Sequence, residues 1–257
     1  MSSELDRLVK IVEKLRAPDG CPWDREQDHE SILSGLLDEV YEFFEAVDKK
    51  DSYEMKEELG DILLQVVFHS QMASENSKFN FEDVACEISD KLIRRHPHVF
   101  GDVNVDSTDE VLQNWEEIKR SEKGKEERKY ITDGIPKALP ALLRAEKIQK
   151  RVARVGFDWD DMKPVLDKVE EEFAEFREAL ENGDVENANE ELGDIIFSLV
   201  NVGRHKKIVA EDSLRRTIDK FEKRFRYIED EFKKENRQIS EASLEELDVY
   251  WERAKKI

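Results

Sequence analysis

Two pairs of acidic residues, repeated in the two halves of the chain, are the residues best suited to chemistry. Each half carries an E-x-x-E pattern and then an E-x-x-D pattern, and the glutamate of the second pattern lies 16 positions after the last glutamate of the first. Residues three apart share one face of a helix, so each pattern presents two carboxylates together. The acidic residues are Glu39, Glu42, Glu58 and Asp61 in the first half and Glu172, Glu175, Glu191 and Asp194 in the second.

The segment between the two patterns predicts that the paired carboxylates of each half face each other. Asn182-Gly183-Asp184 is a turn signal, and so short a turn joins antiparallel neighbouring helices. Glu175 and Glu191 lie about eight residues on either side of it, which places both about 12 Å from the turn. We therefore expect four carboxylates to converge in each half.

Converging carboxylates are a site for a hard cation. They repel one another unless a cation lies between them, and apolar neighbours such as Phe43 and Phe173 increase that repulsion. Oxygen ligands without histidine favour Mg²⁺, with Mn²⁺ as a substitute, over Zn²⁺. Magnesium held this way keeps positions for water and phosphate, which indicates phosphate chemistry. A lone E-x-x-E is ordinarily a solvated helix face, and only its repetition at one spacing argues for a site.

In both halves a glycine, Gly60 or Gly193, lies two positions after the glutamate of the E-x-x-D pattern. Glycine inside a helix costs about 1 kcal/mol relative to alanine. Its recurrence therefore predicts close packing or the approach of a ligand.

Basic and aromatic residues also recur at matching positions. In a chain of net charge −20, the basic residues that stand out are Lys91, Arg94 and Arg95 in the first half and Lys220, Lys223 and Arg224 in the second. They are candidates for phosphate binding, and the alternative is a surface ion-pair face. Trp115 and Trp251 either stack on a base or cap the core. Trp23 and Trp159, each followed by aspartate, are expected to fix the entry loops.

The elements that must position these residues are helices. Glycine and proline together number 16 in 257 residues, roughly half the usual share. Matching blocks in one order predict an all-α tandem repeat, with a first unit over residues 1–120, a charged linker over 121–140 and a second unit over 141–257. Helices are expected near residues 4–16, 30–49, 53–75, 81–95, 164–181, 185–205, 211–235 and 243–255.

Composition excludes several classes of protein. Two cysteines make no disulfide framework and indicate a reducing cytoplasm. No apolar run is long enough to span a membrane, and the charged N-terminus is not a signal peptide. The net charge of −20 disfavours nucleic acid and anionic membranes as partners.

The sequence resembles the MazG family of nucleoside triphosphate pyrophosphohydrolases. The resemblance covers about residues 5–255 and is carried by GCPWDREQDHESI, LLDEVYEFFEAV, EELGDILLQVVFHSQMA, KLIRRHPHVFGDV, ALPALLRAEKIQKRVARVGFDW and KFEKRF. It implies an all-α fold related to dimeric dUTPases, in a homodimer whose copies complete each other's four-helix bundles. It also implies Mg²⁺-dependent cleavage of NTPs and dNTPs to NMP and pyrophosphate, as nucleotide-pool house-cleaning or regulation.

The resemblance also assigns roles to residues. Glu172, Glu175, Glu191 and Asp194 match catalytic metal ligands, and the four acids of the first half match the same motif. The implied substrate-binding residues are Lys168, Glu171, Lys220, Arg224 and Trp251 in the second half and Lys91, Arg94 and Arg95 in the first. Gly35 occupies the position of Lys168 in the first half, so we expect the second unit to be the main site.

Three alternatives remain open on the sequence. A dUTPase-like enzyme restricted to one base is the nearest, and a non-enzymatic helical interaction protein is the second. The third is a ferritin-like di-iron bundle, which needs Glu-x-x-His, and neither acidic pattern supplies that histidine.

Overall fold

The computed structural model describes residues 4–108, 110–111, 114–115, 118 and 129–256, and every regular element within them is a helix. The predicted all-α class is therefore confirmed. The chain divides into two compact units, Met1–Lys125 and Glu126–Ile257. Residues 121–128 of the predicted linker lie outside the described residues. Among the helices that are described, none combines the length and the apolar character needed to cross a bilayer.

The first unit is a helical hairpin with a third helix packed on it. Its helices are α1 (Glu4–Arg16), α2 (Pro22–Glu26), α3 (Leu33–Lys49), α4 (Ser52–Glu75), α5 (Phe81–Arg95) and α6 (Pro97–Phe100). Helices α3 and α4 pack along each other, and α1 packs on α4. The core that joins them is formed by Val12, Ile32, Val67, Phe68 and Met72.

Local signals explain where these helices begin and end. The Asp51 side chain accepts hydrogen bonds from the backbone N–H groups of Tyr53 and Glu54, which starts α4 directly after the turn. Asn80 and Asp83 form a reciprocal capping box that starts α5. His96 ends α5 before Pro97, as the sequence predicts.

The second unit repeats the hairpin and extends it. Its helices are α7 (Ala141–Ala153), α8 (Met162–Glu181), α9 (Val185–His205), α10 (Ala210–Lys234) and α11 (Leu244–Ala254), with a 3₁₀ turn at Ile239–Glu241. Helices α8 and α9 pack along each other, α7 packs on α9 and α10, and α11 packs on α10. Gly183 takes a positive φ of 69° in the turn, and the Asp184 side chain accepts from the Asn187 N–H to start α9.

The packing expected around the two helical glycines is absent from their own units. A Cβ added to Gly60 or Gly193 meets no described atom within 4 Å. Close packing within the unit, one of the two predicted reasons for these glycines, is therefore wrong. The approach of a ligand or of a second chain remains as the explanation.

Gly193→Ala is expected to raise the free energy of unfolding by about 0.5–1 kcal/mol, because alanine has the better helix propensity and its methyl group meets open space. Urea denaturation measures the change, and Gly60→Ala is the matched variant in the first unit. A loss of stability in either variant would show that another surface covers that glycine in solution.

Candidate functional site

The hairpin of the second unit brings three of its four predicted carboxylates together. One carboxylate oxygen each of Glu172, Glu175 and Glu191 lies within 4.8 Å of the others. Glu172 is only 6% exposed, whereas Glu175 faces solvent. Because the turn at Gly183 sets the register of α8 against α9, the two acidic patterns come level as the sequence predicts. The fourth residue, Asp194, lies one turn further along α9 and is exposed.

Lys168 is the internal counter-ion of this group. Its Nζ lies 2.8 Å from Oε1 of Glu172 and 2.9 Å from Oε1 of Glu171. The hydrogen bonds to Glu172 and then Glu171 raise the pKa of Lys168, so the ammonium stays charged. On α9, desolvation and then the charge of Glu175 raise the pKa of Glu191. Lys168 therefore pairs with Glu172 on α8, while Glu191 on the facing helix α9 binds a proton more readily than an ordinary glutamate does.

A cavity of about 450 Å³ opens beside the carboxylates. Glu172 belongs both to the carboxylate group and to the cavity wall, which it shares with Lys168 and Asp194. The rest of the wall is mostly apolar, with a few polar side chains; it comprises Ile148, Gln149, Val152, Gly156, Phe157, Asp158, Trp159, Phe197, Ser198, Asn201 and Arg204. Apolar walls with a few fixed polar groups are typical of small-molecule sites.

An ion-pair network fixes the loop that covers one side of the cavity. Arg204 Nη1 donates to Asp158 Oδ2 at 2.8 Å, and His205 Nε2 lies 3.0 Å from Asp158 Oδ1. The hydrogen bond from Arg204 holds the pKa of Asp158 below its ordinary value. The loop runs through Gly156 at a φ of 87°, so the anchor and the glycine together set the place of Trp159.

The predicted basic residues of the second unit line a different cavity. Lys220, Lys223 and Arg224 line one of about 330 Å³ between α10 and α11. The Arg224 guanidinium lies 5.6 Å from the centre of the Trp251 ring, and Trp251 also packs against the core of α10 and α11. These three basic residues therefore lie together in a cavity of their own, and they do not line the cavity beside the carboxylates. Their role in substrate binding stays a prediction.

The first unit holds a second carboxylate group, which differs from that of the second unit in its members and in its counter-ion. One oxygen each of Glu39, Glu58 and Asp61 lies within 4.8 Å of the others. Glu42 is exposed and outside this group, although its charge, after desolvation, raises the pKa of Glu58. Gly35 stands where the second unit has Lys168, so this group has no lysine at that position.

The predicted basic residues of the first unit lie along α5. Lys91 Nζ is 3.7 Å from Glu87, which fits the surface ion-pair alternative. The Arg95 guanidinium lies 5.0 Å from the centre of the Trp115 ring. Arg94 lies in the last turn of α5. Their role in phosphate binding stays a prediction.

Sequence reasoning missed several residues of the cavity. Phe157, Asn201 and Arg204 were not candidates, and Trp159 was expected only to fix the entry loop, whereas it also lines the cavity. A signal was present, because Asp194, Phe197 and Asn201 recur at helical spacing along one face of α9. That face continues from the acidic pattern into the cavity.

Duplicated helical units, each with a carboxylate group between its paired helices, define an all-α tandem repeat, which is the fold class that the resemblance implies. The model of the MazG nucleotide pyrophosphohydrolase domain matches residues 27–100 and 161–228. The chain is 47% identical to the nucleoside triphosphate pyrophosphohydrolase/pyrophosphatase MazG of Thermotoga maritima, over 97% of this chain and 95% of that protein. It is 43% identical to the nucleoside triphosphate pyrophosphohydrolase of Escherichia coli K12, over 99% and 98%.

The chain therefore belongs to the MazG nucleotide pyrophosphohydrolase family. Membership confirms the resemblance and makes the chain a hydrolase of phosphoric anhydride bonds, which decides against a non-enzymatic interaction protein. A solved MazG-related protein from Thermotoga maritima is 30% identical, covers 45% of this chain and 98% of its own, and has a TM-score of 0.39.

Proposed function

We propose that the chain hydrolyses NTPs and dNTPs between the α- and β-phosphates with Mg²⁺, and that the second unit is the main site. The observation that carries the proposal is the position of Glu172, which joins the carboxylate group to the cavity wall. The proposed cation site at the carboxylates therefore lies next to the proposed nucleoside site in the cavity. The names of the relatives from Thermotoga maritima and Escherichia coli support a nucleoside triphosphate substrate. The net charge of −20 supports a small-molecule partner rather than nucleic acid.

The residues present fit magnesium. Oxygens bound to one Mg²⁺ are at most about 4.2 Å apart, so oxygens within 4.8 Å of one another need only small side-chain rotations. The ligand atoms in Glu172, Glu175 and Glu191 are all carboxylate oxygens, the donors that Mg²⁺ and Mn²⁺ prefer. When bound, the ion neutralises phosphate charge and lowers the pKa of its water.

The chain's own residues contribute the rest of the chemistry. Water attacks the α-phosphorus and loses a proton to solvent, the bond from that phosphorus to the bridging oxygen breaks, and the nucleoside monophosphate and pyrophosphate leave. Lys168, whose Nζ lies 2.8 Å from Glu172 Oε1, would neutralise charge on the phosphates. Phe157 and Trp159 offer apolar and aromatic surface to the nucleoside. The anchored loop holds that surface in place before substrate arrives.

The test is a panel of ribo- and deoxynucleoside triphosphates with Mg²⁺, in which pyrophosphate and orthophosphate are measured separately. We expect pyrophosphate and the monophosphate from several bases. Hydrolysis of one base alone would favour the dUTPase-like alternative. Orthophosphate as the sole product would contradict the proposed bond.

Magnesium affinity is expected to fall as the pH is lowered towards the raised pKa of Glu191, because the proton and the cation compete for this carboxylate. Above that pKa the group is already ionised, so binding releases no proton from it. Calorimetry in buffers of different ionisation enthalpy, from pH 8 down to about pH 5.5, measures the release. Proton release should grow as the pH falls and should shrink in Glu191→Gln; release that does not change with pH would contradict the expectation.

We also propose the predicted homodimer. Apolar side chains of the second hairpin remain about half exposed, including Phe173 at 49%, Leu199 at 51% and Ile196 at 43%. Exposed apolar surface of this kind supports burial against another chain. Light scattering during size exclusion measures the molecular mass and decides between one copy and two.

A further inference from the structure

We propose that Arg144 binds the phosphates of the nucleoside triphosphate, at the end of the cavity nearest the carboxylates. The residue lies on α7, one helical turn before Ile148, which lines that cavity. It is not among the substrate-binding residues that the resemblance implies. The inference rests on the proposed function, because it assumes that a triphosphate extends from the cavity to the carboxylate group of Glu172, Glu175 and Glu191.

Arg144 differs in its contacts from every other arginine that the structure describes. Each of the others has a hydrogen-bonding, ionic, electrostatic or aromatic partner. The guanidinium of Arg144 has none among the described residues. The chain contains 62 acidic and 42 basic residues, so acidic partners for an arginine are abundant. An unpaired arginine in such a chain is therefore a candidate for binding an anionic ligand.

The burial of the Arg144 side chain also points to a ligand. The residue is half-buried, and its Nε atom is shielded from solvent without a hydrogen-bond partner among the residues described. Burying part of a charged group without a partner costs free energy, and buried polar atoms are ordinarily paired. The two Nη groups, equally unpaired, are the accessible end of the guanidinium. A guanidinium has donors and no acceptor, so its ligand must supply acceptors, as phosphate oxygens do.

The contacts of α7 show on which side of the cavity Arg144 lies. Gln149 Nε2 donates to the Phe197 carbonyl of α9 at 2.8 Å. Nine residues further along the chain, Asp158 pairs with Arg204 near the end of α9. Helices α7 and α9 therefore run in the same direction. Residues that precede Gln149 on α7 lie beside residues that precede Phe197 on α9.

This register places Arg144 at the level of the acidic pattern of α9. Arg144 precedes Gln149 by five residues, which is about 7.5 Å along the helix axis. Asp194 and Glu191 precede Phe197 by three and six residues, or about 4.5 and 9 Å. Helical side chains lean towards the N-terminus of their helix, which on α7 is the direction of the carboxylates. The α7 face that lines the cavity therefore reaches the level of the proposed cation site at Arg144.

The first unit has no basic residue at the matching position. Arg144 lies 133 positions after Ile11, the same separation that relates Glu172 to Glu39. Lys168 lacks a basic counterpart as well. The first unit thus forms its hairpin and its carboxylate group without either cation, so the fold of the repeat does not require them. This difference supports a role for Arg144 towards a ligand of the second unit.

An arginine at this place complements Lys168. The guanidinium fork can bind two phosphate oxygens at once, whereas an ammonium acts as a point charge. Lys168 approaches the phosphates from α8 and Arg144 from α7. The two cations would therefore hold the triphosphate from two sides and neutralise charge that Mg²⁺ leaves uncompensated.

The test is Arg144→Met, which keeps the length of the side chain and removes its charge and donors. Calorimetry with Mg²⁺ measures the binding of two probes, for a base that the wild type hydrolyses. One is the triphosphate analogue with a methylene group between the α- and β-phosphates, and the other is the nucleoside alone. The Kd of the analogue should rise about 10–100-fold, as expected when hydrogen bonds to a charged group are lost. The Kd of the nucleoside should stay within twofold.

Matched variants show whether the effect belongs to Arg144. Lys147→Met removes the same charge from an exposed position on α7 and should leave both Kd values unchanged. Arg144→Lys keeps the charge without the fork and should recover part of the affinity for the analogue. The urea midpoint of Arg144→Met without nucleotide should stay that of wild type, because no hydrogen bond or ion pair to a described residue is lost. Arg144→Gln serves if the methionine variant does not fold.

The outcomes separate this inference from the proposed function. With an active wild type, an unchanged Kd of the analogue in Arg144→Met overturns the inference alone. An equal loss for the nucleoside also overturns it, because Arg144 would then support the cavity and not the phosphates. A smaller molecular mass of the variant in light scattering would show that Arg144 pairs with another copy of the chain, and overturns it too. A wild type that releases no pyrophosphate from any triphosphate overturns the proposed function instead.

Discussion

Glu191→Gln is expected to lower pyrophosphate release at least about 100-fold, while Glu58→Gln, the matching change in the first unit, leaves most of it. The amide keeps the shape of the side chain and removes one charge from the carboxylate group of α8 and α9. A cation site that stabilises transition-state charge contributes several kcal/mol, and each 1.36 kcal/mol is tenfold in rate. The difference between the two variants follows from Lys168, which the first unit replaces with Gly35.

The measurement is steady-state release of pyrophosphate under saturating Mg²⁺ and nucleotide, with circular dichroism to show that both variants keep their helices. Full activity in Glu191→Gln would remove the second unit from the mechanism. Equal losses in the two variants would show that both units turn over substrate. Comparing pyrophosphate release by Glu191→Gln and Glu58→Gln distinguishes these outcomes.

Lys168→Met is expected to change two quantities in opposite directions. The kcat/KM should fall about 10–100-fold, because an ammonium beside the phosphates is lost. Magnesium affinity without nucleotide should rise, because Nζ of Lys168 lies 2.8 Å from the Glu172 oxygen that the cation needs. Methionine keeps the length and packing of the side chain, so the hairpin should be preserved.

Calorimetry with Mg²⁺ alone and steady-state kinetics measure the two effects. Lys168→Arg keeps the charge and should recover part of kcat/KM without the gain in magnesium affinity. A methionine variant that binds magnesium more weakly than wild type would contradict the competition between the ammonium and the cation.

The helices of this chain could be predicted from the sequence because local signals fix them. Asp51 and Asn80 cap the starts of α4 and α5, and Gly183 supplies the positive φ of the turn before α9. That turn length then brings Glu175 and Glu191 level, so the carboxylate group was predictable as well. These results depend on residues that are close in sequence.

The cavity wall was not predictable in the same way. Arg204 and Asp158 are 46 residues apart, and neither residue type is unusual on a helix or in a loop. Arg144 becomes informative only once the partners of the other arginines are known. The glycine argument failed for a related reason, because sequence cannot say what lies beside Gly193, and the described unit leaves that space open.

Because Lys168 is covalently part of α8, the second unit carries a tethered cation that neither dilution nor a chelator can withdraw. Glu171 and Glu172 therefore keep a counter-ion even in pure water. The first unit has Gly35 at the same position, which offers no side chain. Repulsion among its carboxylates is therefore screened by ions from dissolved salt. Two copies of one fold thus depend differently on ionic surroundings, through a single side chain.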